Sequence, residues 1–350
     1  MLHDKAVPLK GCESYVSQYL EDLLQVAHSV TAAKPSQVHE LCQVVLHHPP
    51  ANAGELEGKS GLNWNGSPLQ LLISTRSSGS VFRFIGDPAF FHPDPVRRFA
   101  ESKKALTLVL DTGNAQTLQD ICQKSLTTVI PCDPAALQEF SHGMIWLALT
   151  LNQPGIAAYF LAVSDRQTAW CTARQWVDTI LPHPEEAHGV IAALEPNCCL
   201  IFVGIEGRTP QSGRAKLYWR LSRLAAFSQF GISMFDDPAI AQFLAALMRE
   251  HPFSLYALTF SAGFSLETGE LTDIKVDLSS KSADLSVAEA VHFAECQAET
   301  LGLQPPPTRQ GLSVLPSNSV SIGFVGLGLN HEGEYRLHTY LFQNEILRII

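Results

Sequence analysis

Long apolar runs are missing from this chain of 350 residues. No segment approaches the roughly 18–20 apolar residues that cross a bilayer as a helix, so a helical membrane protein is excluded. The opening Met1-Leu-His-Asp-Lys-Ala6 has neither the basic nor the apolar region of a signal peptide. Basic charge is scarce: 24 Lys and Arg face 34 Asp and Glu, a formal net charge of −10. Nucleic-acid binders are usually basic, so that class is set aside, and any anion site must be a local cationic pocket in an acidic protein. The eight cysteines are scattered, with no CxxC or zinc-knuckle spacing. Adjacent Cys198 and Cys199 open an apolar strand and read as core. Reduced thiols and a cytoplasmic location are expected. There is no Gly-x-Ser-x-Gly elbow and no HExxH. Asp236-Asp237 lacks the further aspartate of a DDxxD metal box and reads as a helix cap.

What is present is a soluble composition, 46% hydrophobic and 17% charged. The first sixty residues read as helical, with Val16, Leu20, Leu23, Leu24 and Ala27 at helical spacing and a second helix from about Pro35 to Leu46. His47-His48-Pro49-Pro50 ends it and a Gly/Asn-rich loop runs to Asn65. Beyond Pro68 the pattern becomes pairs of strands separated by helices. The pairs are Leu69–Thr75 with Ser80–Gly86, Met144–Leu151 with Gly155–Val163, and Cys199–Ile205 with Arg214–Arg220. Ser254–Phe264 with Leu271–Leu278 and Val320–Leu329 with Tyr335–Phe342 complete them. Between the pairs, Trp170, Ala173, Val177 and Ile180 stripe one helix. Asp237-Pro238 caps another, carrying Phe243, Leu244, Leu247 and Met248, and Ser286-Val-Ala-Glu289 is a capping box for a third. Gly323, Gly326 and Gly328 echo a dinucleotide loop but fall inside a strand, the wrong context for one.

The last four second strands end at Tyr159, Tyr218, Asp277 and Tyr340, a repeat of about 60 residues. Five antiparallel pairs at that interval predict an α+β fold: a closed antiparallel ten-stranded β-barrel of five αββα repeats surrounded by helices. An open α+β sheet with helices on one face is the alternative. Residues 1–60 would be a helical segment packed on a barrel of 61–350, one structural domain overall. Strand side chains alternate faces. In Arg214-Ala-Lys216-Leu-Tyr218, Arg214, Lys216 and Tyr218 therefore share one face and Ala215, Leu217 and Trp219 the other. The same parity turns Arg83, Lys275, Asp277, Arg336, His338 and Tyr340 inward. Cations from four strands in one cavity are costly unless an anion is there. A diphosphate suits them through charge-assisted hydrogen bonds, and tyrosine rings beside it offer π-faces to a cation.

These residues also carry a resemblance. The hairpin units, Arg214-x-Lys216-x-Tyr218, and Gly66-Ser-Pro-Leu-Gln70-Leu-Leu-Ile-Ser74 followed by Phe82-Arg83-Phe84 resemble the aromatic prenyltransferases of the ABBA barrel, of the dimethylallyltryptophan synthase type, over roughly residues 60–345. The resemblance implies transfer of a prenyl group from an allylic diphosphate donor to an electron-rich aromatic small-molecule acceptor, with no cofactor required. It implies Arg83, Arg214, Lys216 and Lys275 for the diphosphate and Tyr159, Tyr218 and Tyr340 as a shield around the allyl cation. Two departures stand out. The family places lysine where this chain has Ala157, and Mg²⁺ on an inward carboxylate such as Asp277 is one replacement. It places glutamate, which binds the indole N–H, where this chain has Gln70, a hydrogen-bond acceptor but a poor base. His338 is the candidate for removing the proton instead. Prenylation of an aromatic side chain in a peptide, and a non-catalytic barrel binding an aromatic or isoprenoid ligand, are the rival readings.

Overall fold

The computed structural model describes residues 20–31, 33–47, 60–250, 253–315 and 319–344. Two helices come first, α1 (Glu21–Thr31) and α2 (Pro35–Leu46). The α1 stripe buries Leu23, Leu24 and Ala27 as its spacing predicts; Val16 and His48-Pro49-Pro50 lie outside the described residues. Pro35 at the first position of α2 suits a site whose N–H would have no helical partner anyway.

The expected hairpins follow. β1 (Leu69–Arg76) and β2 (Gly79–Gly86) pair, then α3 (Pro95–Thr112) and α4 (Gln119–Val129) intervene. β3 (Ile145–Thr150) and β4 (Ile156–Leu161) are followed by α5 (Arg166–Ile180) and α6 (Glu185–Leu194). β5 (Cys198–Gly207) and β6 (Arg214–Leu221) are followed by α7 (Pro238–Glu250), which Asp237 caps by accepting from the Ala239 N–H at 2.8 Å. β7 (Leu258–Ser265) and β8 (Leu271–Ser279) precede α8 (Val287–Thr300), whose Ser286–Glu289 capping box forms as read from sequence. α9 (Thr308–Leu312) leads to β9 (Val320–Asn330) and β10 (Tyr335–Gln343). Two details differ from expectation. Residues 254–257 are not strand: the Ser254 hydroxyl accepts from the Tyr256 N–H and winds Leu255–Ala257 into a 3₁₀ turn. Met248, placed on the buried stripe of α7, is 46% exposed.

Each strand pairs with its neighbours antiparallel, and β1 closes on β10, so the ten strands form a closed barrel with no free edge. Register carries one parity around the ring. Leu72 opposes both Arg83 and Tyr340, Arg83 opposes Thr150, and Trp146 opposes Tyr159. Tyr159 opposes Gly204, which opposes Lys216, and Ser261 opposes Lys275. Those side chains form the inner face; their sequence neighbours form the outer one. Outside, Ala215, Leu217 and Trp219 are fully buried under helices, with Trp219 edge-on to Phe230 and near-parallel to Phe260. The same outer core takes in α1 and α2, and the Leu23 N–H of α1 donates to the Gln343 side chain of β10 at 3.2 Å. A separate, smaller apolar cluster lies in the bore: Leu62, Leu72, Ile85, Ala148, Ala157 and three tyrosines. Gly269, at φ +79°, ends the β7–β8 turn where a Cβ would sit 2.0 Å from the His183 carbonyl oxygen.

Candidate active site

The bore is divided into two lobes. One has a volume of about 560 Å³ and is lined by Arg76, Arg83, Arg214, Lys216, Arg336 and His338 among others. The other, about 410 Å³, is lined by Gln70, Ile85, Trp146, Phe202, Asp277 and Phe324, with Trp64 and Tyr256 at its mouth. Tyr159, Tyr218, Lys275 and Tyr340 line both, so they form a collar where the lobes meet. All the residues singled out in the sequence, Gln70 through Tyr340, therefore share the bore, but not one lobe. Gln70 and His338 are separated: the first belongs to the aromatic lobe and the second to the cationic one.

In the cationic lobe the arginines and lysines come with carboxylates that the sequence reading left out. Glu206 holds Arg83 and, at 3.1 Å, Arg214. Asp273 takes Arg214 at 3.1 Å and Lys216 at 2.8 Å. Burial by itself would raise the pKa of both carboxyls. At Glu206 the charges of Arg83, Arg214 and Lys216 outweigh burial and hold it well below the usual carboxylate range. Arg214 and Lys216 do the same for Asp273. Both are anions at neutral pH. Their signal was present: Asp273 shares parity with Lys275, and Glu206 lies opposite Ala157 across the β4–β5 ladder. Glu206 is on a first strand of its hairpin, β5, whereas the inward residues read by parity from sequence lie on second strands. Glu206 thus sits beside the position where the resemblance calls for lysine, and in this chain Arg83 reaches across to it.

The collar is built from cation–π contacts. Tyr159 and Tyr218 meet edge to face at 5.8 Å, and Phe202 stacks on Tyr218 at 4.2 Å. The Lys216 ammonium lies 5.8 Å from the Tyr218 ring centroid, and that of Lys275 lies 5.7 Å from Tyr218 and 5.2 Å from Tyr340. Lys275 also bonds the Tyr340 hydroxyl at 2.5 Å and Asp277 at 2.5 Å. Burial opposes its charge, but Asp277 and Tyr340 outweigh burial and raise its pKa. At Asp277, the carboxylate considered for Mg²⁺, the Lys275 ammonium occupies the approach to one oxygen. Among the described residues no group of three His, Cys, Asp or Glu side chains is placed to hold a metal.

Glycines on the inner face make room for these side chains. A Cβ at Gly263 would lie 2.1 Å from an Asp273 oxygen, and one at Gly326 would lie 1.9 Å from an Asp277 oxygen. Of the glycines that echo a dinucleotide loop in sequence, Gly326 is thus a spacer for the Asp277 carboxylate. In the aromatic lobe, the Gln70 amide donates to Asn63 Oδ1 at 2.6 Å, and Asn63 in turn donates to the Ser67 and Leu69 carbonyls. That chain fixes the carboxamide by its nitrogen and leaves its oxygen to a ligand. His338 has an Nδ1 without a hydrogen bond; burial, then Lys275, Lys216 and Arg336, drive its pKa well below 6.5. It is neutral at pH 7.

No protein-family profile matches the chain, and no curated protein sequence does. Solved structures do. The chain is similar to 5-dimethylallyltryptophan synthase from Streptomyces coelicolor, at 16% identity over 95% of this chain and 98% of that one, with a TM-score of 0.74. It is similar to 6-dimethylallyltryptophan synthase from Micromonospora olivasterospora, solved in complex with DMASPP and Trp, at 16% identity over 94% and 97%, with a TM-score of 0.74. It is also similar to AnaPT from Neosartorya fischeri, at 14% identity over 95% of each chain, with a TM-score of 0.71. At these identities the likeness establishes the fold: this chain has the barrel of those proteins along nearly its whole length.

Proposed function

We propose that this protein is an aromatic prenyltransferase, moving a dimethylallyl or longer prenyl group from an allylic diphosphate to an electron-rich, indole-type acceptor. The observation that carries the reading is the two-lobed bore: a cationic lobe and an aromatic lobe joined by a collar of three tyrosines and a lysine. The Micromonospora olivasterospora neighbour, in complex with DMASPP and Trp, supports the same pairing of ligands.

In this reading the diphosphate lies in the cationic lobe on Arg83, Arg214 and Lys216. Those cations exchange Glu206 and Asp273 for phosphate oxygens, so part of the binding energy replaces existing ion pairs. As the bond from the allylic carbon to diphosphate breaks, the leaving group gains charge and the same cations hold it more strongly. The allylic carbon becomes positive at the collar, where the faces of Tyr159, Tyr218 and Tyr340 stabilise it. The acceptor ring lies in the aromatic lobe between Trp146, Phe202 and Phe324, with its N–H donated to the Gln70 oxygen. Among the described residues no helix is long and apolar enough to cross a membrane; with the seven cysteines among those residues free, we place the protein in the cytoplasm.

The test is incubation with dimethylallyl and geranyl diphosphates against a panel of indole, tryptophan and tryptophan-containing peptides, read by mass spectrometry. A mass gain of one prenyl group on at least one member of the panel is expected. A peptide-only pattern would move the acceptor to the peptide class. Diphosphate and indole binding without any product would make the barrel a ligand-binding protein.

A further inference from the structure

Substitution on an aromatic ring ends with loss of a ring proton, and the aromatic lobe has to supply its acceptor. Gln70 is no base, and His338 lines the other lobe. Of the described residues lining the aromatic lobe, Asp277 is the one carboxylate, and no histidine is among them. The four tyrosines there are phenols, and burial pushes the pKa of Tyr218 and Tyr340 up, so their phenolates are out of reach near neutral pH.

Asp277 is 6% exposed, on β8 opposite Thr259 and Gly326. Its two oxygens differ. Oδ2 is held by the Lys275 ammonium at 2.5 Å, with the Tyr340 hydroxyl at 3.5 Å. Oδ1 is buried and has no hydrogen-bond partner. A buried carboxylate oxygen left without a donor costs free energy. It lies in a hollow that exists because residue 326 has no side chain. Asp277 lines the aromatic lobe, and rotation about its final carboxylate torsion is soft and turns both oxygens together, so the free oxygen turns toward the lobe as the flexible Lys275 side chain follows the other.

We infer that Asp277 is the base that takes the ring proton from the prenylated acceptor, with Lys275 as its counter-ion. This rests on the prenyl-transfer reading above. The allylic carbon–oxygen bond breaks and diphosphate leaves with the electron pair. A ring π pair forms the new carbon–carbon bond. The ring carbon–hydrogen bond then breaks, its electron pair restores aromaticity, and the proton moves to Asp277 Oδ1. It passes to water when product leaves through the mouth of the lobe. Lys275 lines both lobes, so it faces the departing diphosphate and stabilises the carboxylate that must accept the proton.

The experiment compares wild type, Asp277→Asn and Asp277→Glu on ring-deuterated and ordinary indole with dimethylallyl diphosphate, alongside pyrophosphate affinity and thermal midpoint. Asparagine keeps the shape and cannot accept a proton, so turnover should fall about 10²-fold or more. Proton loss then becomes limiting, and a primary isotope effect absent or small in wild type should appear. Pyrophosphate binding should stay within a few-fold. A merely structural role would lower turnover without the isotope effect, and that result overturns the inference, as does wild-type turnover in Asp277→Asn. Should Asp277→Asn not fold, Asp277→Glu decides: slowed turnover with an isotope effect supports the base, unchanged turnover without one removes it. If wild type prenylates nothing in the panel, the prenyl-transfer reading itself fails and this inference falls with it; if wild type is active, failure belongs to Asp277 alone.

Discussion

His338 shows how the bore treats a single residue. Burial and the charges of Lys275, Lys216 and Arg336 depress its pKa well below 6.5, and Glu206 opposes them. Below pH 6.5 the unfolded chain takes up a proton that the folded one refuses. The stability associated with this residue is therefore whole above 6.5 and is lost as pH falls below it, by up to about 1.4 kcal/mol per pH unit. His338→Gln should flatten the fall in thermal midpoint between pH 6.5 and about pH 5 relative to wild type; parallel curves would show that His338 is not held neutral. At this scale the sequence was partly legible. Parity brought Arg83, Arg214, Lys216, Lys275, Tyr218 and Tyr340 to the bore, and the resemblance added Tyr159. Glu206 and Asp273 were not foreseen, because a cationic stripe is conspicuous and the lone carboxylate opposite it is not. The division of Gln70 from His338 depends on where the collar crosses the bore, which a strand pattern does not contain.

A strand of this barrel has two independent jobs, and β6 separates them cleanly. Leu217 faces the helices and is fully buried in the outer core, whereas Lys216, one residue earlier, faces the bore. Leu217→Ala should lower the unfolding free energy by about 2–5 kcal/mol, read by chemical denaturation, with pyrophosphate affinity unchanged at temperatures where the protein is folded. Loss of pyrophosphate affinity with no loss of stability would mean that the faces of β6 are reversed. The five hairpins were readable because alternation, turn residues and capping boxes agree with one another. Residues 254–257 broke that agreement: Leu255 and Tyr256 suit a strand, but they wind into a 3₁₀ turn that the Ser254 hydroxyl caps locally. The apolar stripe of α7 was likewise overextended at Met248, which the barrel leaves to solvent.

The molecule as a whole carries a formal charge of −10, yet seven lysine and arginine side chains line one lobe of its bore. Closing the sheet removes the edge strands and places that lobe inside a low-dielectric wall. There each ion pair is strong and each unpaired charge is expensive. Glu206 and Asp273 pair there with Arg83, Arg214 and Lys216. The closed barrel was legible from a repeat of about 60 residues, but its partition into two lobes was not, since lobe shape comes from which inward positions are glycine and which are tyrosine. The central claim is that this lobe holds a diphosphate while it leaves. The most direct test is the rate of pyrophosphate release from dimethylallyl diphosphate, with and without indole, in wild type and in Lys216→Ala. Removing a cation that holds the developing charge should cost roughly 10²-fold in rate with the fold intact, and release in wild type should depend on the acceptor. Equal rates in the two proteins, or no acceptor-dependent release in wild type, would contradict it.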